Sequence, residues 1–237
     1  MPPPLTVAMP VYNEQGSILL STAEVQRHVL DAVPGSELVV VDDGSTDDSG
    51  RVLDEIAAAD PRVRVIHQPN SGHGGALMHA LSSAQGEYVM LVDSDRQIAL
   101  DSFSTAWVHV QRGRDGVFGV RRRRHDPRLR LYLMRLVRFA IHLLFGVRIF
   151  DANVPYKLLR RSIWTDASAC IPPGTLAPSL FLALFAKLRG YDIVEMDIEH
   201  RPRATGAASI RRLRLLTFSA KAFAQLLAFR RCVSDGR

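Results

Sequence analysis

Tyr88-Val89-Met90-Leu91-Val92-Asp93-Ser94-Asp95-Arg96-Gln97 decides how the rest of the chain is read. The apolar run is a strand buried on both faces, and two carboxylates and an amide stand at its C-terminal end. In open α/β sheets that edge is where ligands bind. Strand alternation would point Asp93 and Asp95 to one side. Two carboxylates and an amide oxygen this close together suit a hard cation that keeps some waters and bridges to substrate phosphates. An acidic turn after a strand is common, so the triplet takes its meaning from the loops around it.

Working outward, the first half repeats a strand-then-helix rhythm. Strands are expected at Leu5 to Met9, Leu38 to Val41, Val63 to Ile66, Tyr88 to Val92 and Gly116 to Val120. Helices are expected from about Ser17 to Leu30, after the Gly44-Ser45-Thr46 turn, and through Leu77, Ala80, Leu81 and Ala84 up to Gly86. The alternation implies an α/β fold with a mostly parallel, helix-covered sheet. The second half differs. Arg121 to Arg138 is strongly basic, an apolar helix runs to about Phe145, Asp151 opens a loop containing Pro155, and Ile193 to Ile198 reads as a last strand. From Ile210 to Phe229 the pattern is helical and apolar, with arginines at both ends.

Composition bounds the function. The 237 residues are 47% hydrophobic and 23% charged, which suits one globular domain. The net charge of +6 favours anionic partners. Lys157, Lys187 and Lys221 are the only lysines, so arginine carries that charge. The longest apolar run, Leu176 to Ala186, falls short of the ~20 residues that cross a bilayer. Cys170 and Cys232 show no metal-ligand spacing and no signal peptide precedes Leu5, so a cytoplasmic protein with reduced thiols is expected. The arginine run lacks aromatic interleaving, which argues against nucleic acid.

Three more loops lie on the same edge if the strands are parallel. Met9-Pro10-Val11-Tyr12-Asn13-Glu14 follows the first strand and Val41-Asp42-Asp43-Gly44-Ser45-Thr46-Asp47-Asp48-Ser49 the second. Carboxylates there can accept hydrogen bonds from a ribose or a base. Asp47 and Asp48 read more simply as a helix-start turn. Asn70-Ser71-Gly72-His73-Gly74-Gly75-Ala76 follows the third strand and lets backbone amides approach a diphosphate, with His73 either beside it or a polar turn residue.

These motifs, in this order and spacing, resemble family 2 glycosyltransferases of the GT-A fold. The glutamine after the second aspartate is similar to the branch of dolichyl-phosphate mannosyltransferases and bacterial polyprenyl-phosphate hexose synthases, as is His200-Arg201-Pro202-Arg203-Ala204-Thr205-Gly206. The resemblance implies that Pro10, Tyr12, Glu14 and Asp42, with Asp43, Gly72 and His73 nearby, hold a GDP- or UDP-hexose. It places Asp93 at the donor's ribose or sugar. Asp95 and Gln97 would bind Mg2+ or Mn2+ on the diphosphate. Arg121 and Arg130 would hold a polyprenyl phosphate or other anionic acceptor, and Arg203 would lie near both phosphates. It further implies an inverting hexose transfer by a GT-A domain over residues 1–209, with a nucleotide-sugar half at 1–120 and an acceptor half at 121–209.

The chain departs from that branch on the acceptor side. Val154-Pro155-Tyr156 stands where a small residue and Gly-Phe are usual, Met134 where a serine is, and Ala207-Ala208-Ser209-Ile210 where Ser-Lys follows the late glycine. A hydroxyl acceptor is the alternative, with Asp151 or Glu199 as the carboxylate base; a non-catalytic nucleotide-sugar-binding protein is another. Residues 210–237 form an amphipathic segment expected to rest on the cytoplasmic face of a membrane through Leu213, Leu215, Leu216, Phe218, Phe223, Leu226 and Phe229. A core or dimer-interface helix is the competing reading of that segment, so a homo-oligomer is also open.

Overall fold

The apolar runs pair with one another. In a computed structural model, which describes residues 4–121, 128–147, 149, 151–175, 177–201 and 215–235, they form a seven-stranded sheet. Its strands are β1 (Leu5–Val11), β2 (Glu37–Asp42), β3 (Val63–His67), β4 (Tyr88–Val92), β5 (Gly116–Val120), β6 (Tyr156–Arg160) and β7 (Ile193–Asp197). The order is β3-β2-β1-β4-β6-β5-β7. All neighbours are parallel except β6, which runs antiparallel between β4 and β5. β1 and β4 are buried at every residue because both faces of the sheet are covered.

β6 follows the loop expected from Asp151, in a stretch for which no element was expected. Its residues Tyr156-Lys157-Leu158-Leu159-Arg160 carry a charge among apolar neighbours, so neither a period of two nor a buried run is visible in them. The sheet nevertheless buries Lys157 completely.

Helices cover both faces. On one lie α1 (Ile18–Val25), which continues into a π-helical turn over Gln26–Leu30, α2 (Ser49–Ala59) and α4 (Phe103–Gln111). On the other lie α3 (His73–Ser82), α5 (Arg128–Phe145), α6 (Arg161–Ser168), α7 (Pro178–Leu188) and α8 (Leu215–Asp235). Strand residues alternate between the two cores: Leu5, Val7, Met9, Met90 and Val92 face the first, and Ala8, Val39, Val89 and Leu91 the second. In α7, residues Phe181 to Ala186 are all buried, so the most apolar run of the chain is a core helix. No described helix is long and apolar enough to cross a membrane.

Two expectations need correction. Cys170, just past α6, and Cys232, in α8, are joined as a disulfide with their Cα atoms 5.5 Å apart. Their separation of 62 residues in sequence concealed that both helices pack on one core. In α8, Leu226 and Phe229 point into that core beside Phe181 and Phe145 instead of outward, while Phe223 is exposed. The side chains of Leu215, Leu216 and Phe218, and the whole of Leu213, lie outside the described residues.

Candidate active site

Because β1 to β5 run in one direction, their C-terminal ends bring the four motif loops and Arg121 to one edge. β6 runs the other way, so the segment before it, starting at Asp151, opens on the same edge.

The first two loops are stitched together. Pro10 is buried in β1 opposite Val41, and Tyr12 beyond the strand is 48% exposed. Asn13 turns the chain with φ 53°, a conformation asparagine tolerates. Its amide donates to Ser45 Oγ at 3.0 Å, and its side-chain oxygen accepts from the Thr46 amide at 2.7 Å. The Glu14 amide donates to Ser49 Oγ at 2.8 Å, and its carboxylate accepts from the Ser17 hydroxyl at 2.6 Å. Asp47 accepts from the amides of Gln15 and Ser49, which fits the helix-start reading.

Asp42 and Asp43 are both buried at the end of β2. Asp42 Oδ1 accepts from the Ser45 amide at 3.1 Å, and Oδ2 lies 2.9 Å from His67 Nδ1. Asp43 Oδ1 accepts from the Ser71 amide at 2.8 Å and from Gln68 Nε2 at 2.6 Å, which pins the third loop to the second. Asp43 Oδ2 is buried and finds no hydrogen-bond partner among the described residues, so it keeps unused acceptor capacity.

The third loop starts α3. Gly72 has φ 81°, and a Cβ at Gly74 would run into the Thr175 carbonyl oxygen, so the helix start lies flush against the segment before α7. His73 opens the helix half-exposed, with Nε2 3.7 Å from Asp93 Oδ1.

β4 ends at Val92, so Asp93 to Gln97 form a turn and strand alternation does not orient the two aspartates as expected. The Gln97 amide donates to Asp95 Oδ1 at 3.1 Å, and the Ser21 hydroxyl of α1 holds the Ser94 carbonyl. Arg96 takes φ 57°, costly for a residue with a Cβ. Its guanidinium is tied to Glu24 of α1 at 2.8 Å, and Glu24 also receives Arg201 at 3.2 Å. The Arg201 amide donates to the Gln97 carbonyl at 2.8 Å, so the start of the late motif is laced to the acidic turn.

On the far side, Arg121 and Asp151 form a two-pronged pair, Nε to Oδ2 at 2.8 Å and NH2 to Oδ1 at 3.0 Å. Their side chains are only 11% and 2% exposed. Behind them Lys157 Nζ donates to the carbonyls of Ala152 and Val154 and to Ser179 Oγ, at 2.9, 2.7 and 2.6 Å. Burial pushes its ammonium down to about 7, opposed by the negative charge of Asp151 and Asp93. Lys157, Glu24 and His67 were not foreseen as site residues. For Lys157 the one available signal was a lysine inside an apolar run. Arg130 lies in α5 with its side chain outside the described residues, as does all of Arg203.

Asp93, Asp95 and Gln97 offer only oxygen ligands, and the described residues contain no cluster of three or more acidic, histidine or cysteine side chains suited to a metal. That donor set fits Mg2+ or Mn2+ completed by water and phosphate oxygens, and does not suit a closed structural site.

A helix-covered α/β sheet with acidic loops at its strand ends defines a GT-A glycosyltransferase fold. The glucosyl-3-phosphoglycerate synthase of Mycobacterium tuberculosis, solved with Mn2+, UDP-glucose and phosphoglyceric acid, matches 95% of this chain over 79% of its own at TM-score 0.65 and 23% identity. The undecaprenyl-phosphate 4-deoxy-4-formamido-L-arabinose transferases of Pseudomonas fluorescens (strain Pf0-1) and Pseudomonas aeruginosa (strain LESB58) are 28% and 30% identical over 90% of this chain. The chain spans 62% of the length of each of these two relatives. It belongs to glycosyl transferase family 2, whose profile matches residues 6–177.

Proposed function

We propose that the chain is an inverting, metal-dependent glycosyltransferase that moves a hexose from a nucleoside diphosphate sugar to a polyprenyl phosphate. The observation that carries this reading is the convergence of Asp42, Asp43, His73, Asp93 and Asp95 on the edge where the buried Arg121–Asp151 pair also opens. The nucleoside side is supported by Tyr12, Glu14 and Asp42, and by the acceptor capacity left on Asp43. Asp95 and Gln97 would hold Mg2+ or Mn2+, whose charge offsets that of the departing diphosphate. His73 and the amides at the start of α3 face the same phosphates.

The acceptor side follows from charge. A phosphomonoester has a second pKa of about 6, so it is largely dianionic at neutral pH and needs no base to attack the anomeric carbon. A hydroxyl acceptor does need one. Asp151 is a poor base because both of its oxygens are held by Arg121, and Glu199 is exposed with its carboxylate 3.9 Å from Arg201. Arginine forks suit phosphate, and Arg121 is oriented by Asp151, with Arg130 and Arg203 as further candidates.

A membrane-peripheral location completes the proposal. Leu136, Phe139 and Leu143 stand three and four residues apart on α5 and are 46%, 64% and 73% exposed. Phe223 and Leu227 of the neighbouring α8 are exposed too, with exposed Arg135, Arg138, Arg230 and Arg231 on the same two helices. Apolar side chains flanked by arginines suit an anionic lipid surface. Residues 1–120 would then serve the donor and 121–209 the acceptor, with 210–237 at the membrane, anchored to the core through Leu226 and Phe229. The disulfide removes the thiol argument for a cytoplasmic setting. The test is turnover of a panel of nucleoside diphosphate hexoses with Mn2+ or chelator, with and without polyprenyl phosphate in anionic vesicles. Transfer that needs metal and polyprenyl phosphate supports the reading. Efficient transfer to a plain hydroxyl sugar, or undiminished transfer in chelator, overturns it.

A further inference from the structure

His67 ends β3 directly opposite Asp42 in the strand register. Its ring is clamped between two carboxylates on different elements: Nδ1 lies 2.9 Å from Asp42 Oδ2 of β2, and Nε2 lies 3.0 Å from Asp54 Oδ1 of α2. A neutral imidazole has one N–H and can donate to only one of them, whereas the imidazolium donates to both. The first turn of α2 closes over the pair, since a Cβ at Gly50 would stand 3.1 Å from Asp42 Oδ2 and 3.6 Å from the His67 ring. No other described charge competes for the ring: Arg51, on the same helix, turns to Asp48 and Glu55.

We propose that His67 is a positioning residue that makes nucleoside binding depend on pH, its imidazolium fixing the Asp42 carboxylate in the orientation that receives the base or ribose. The inference rests on the assignment of Asp42 to the nucleoside site made above. The hydrogen bonds to Asp42 and then Asp54 raise the pKa of His67 above its ordinary value, partly opposed by burial. The sign follows. The clamp is complete at acid pH and is lost as pH rises through the raised value, so affinity falls with rising pH.

Calorimetric titration of uridine diphosphate without metal, across about pH 6 to pH 9, tests this on the native chain, His67→Gln, Asp54→Asn and Asp42→Asn. His67 is about half exposed, and its glutamine variant is checked for an unchanged melting temperature. We expect native affinity to drop several-fold, toward tenfold, across that range. It should be flat in His67→Gln, and in Asp54→Asn the midpoint should move to lower pH. A purely structural role would not move that midpoint. Asp42-dependent affinity with the same profile in native and His67→Gln chains overturns the role of His67 alone. Native affinity in Asp42→Asn overturns the nucleoside assignment and this inference with it.

Discussion

Gly74→Ala probes the joint between the diphosphate loop and the acceptor half. A Cβ at this position would sit well inside contact distance of the Thr175 carbonyl oxygen, 3.0 Å from its carbon and 3.4 Å from Pro178 Cδ. Carbon and oxygen approach no closer than roughly 3.3 Å even in favourable contacts, so α3 and the 172–178 segment must part by about 1 Å. Thr175 is buried and Pro172, Pro173 and Pro178 stiffen its surroundings, so the segment cannot yield cheaply. Overpacking costs ~1–3 kcal/mol, and a clash with a buried backbone carbonyl takes the upper part of that range, ~2–3 kcal/mol, offset by the ~1 kcal/mol that alanine gains over glycine in a helix. The net loss of ~1–2 kcal/mol lowers the melting temperature by roughly 2–8 °C in a chain of this size. The same shift carries His73 away from Asp93, so uridine diphosphate should bind more weakly as well. Gly16→Ala, where nothing stands within 4 Å, is the control and should be neutral or slightly stabilising. A Gly74→Ala chain that melts at or above the native temperature and binds nucleotide equally well would falsify the claim that α3 is pressed against that segment.

Three further outcomes follow from the site. Asp95→Ala should abolish the enhancement of nucleotide binding by Mn2+; calorimetry with and without chelator decides it. Asp95→Asn, which keeps an oxygen for the Gln97 amide, separates that loss from any effect on the half-buried turn. Asp151→Asn removes one charge from a two-pronged pair whose side chains are only 11% and 2% exposed, and should cost ~3 kcal/mol in urea unfolding. A loss below 1 kcal/mol would mean water screens the pair. For Lys157, the folded chain releases its proton near 7 and the unfolded chain near 10.5, so the unfolded state binds more protons between those values and stability should rise with pH across the window. Lys157→Met should remove that rise, and equal slopes in the two proteins would show that the ammonium is not strained by burial.

The parallel half of the sheet was legible because each strand is an apolar run stopped by polar turn residues, the strongest signal a sequence carries. β1 to β5 and β7 match their expected places to within two residues. β6 was not legible because its central residue is Lys157, whose charge is tolerated only where Ala152, Val154 and Ser179 converge on it. The disulfide and the inward face of α8 were hidden for the same reason: both depend on which helices share a core.

The candidate site divides along the same line. The proposed ligand-facing side chains sit at strand ends in fixed order, so the placing of Asp42, Asp93, Asp95 and His73 on one edge could be read directly. Side chains that hold those groups are chosen by the fold: Glu24 meets Arg201 across 177 residues of sequence, and His67 meets Asp42 across 25. Arg121 shows why the distinction matters. Read alone it is a cation awaiting a phosphate, yet the antiparallel turn into β6 delivers Asp151 to it, and the pair together is close to neutral. An anionic acceptor at this edge therefore meets an oriented guanidinium with part of its charge already answered. On the proposed reading, attraction would come in part from arginines beyond it, and Arg121 would contribute geometry more than field.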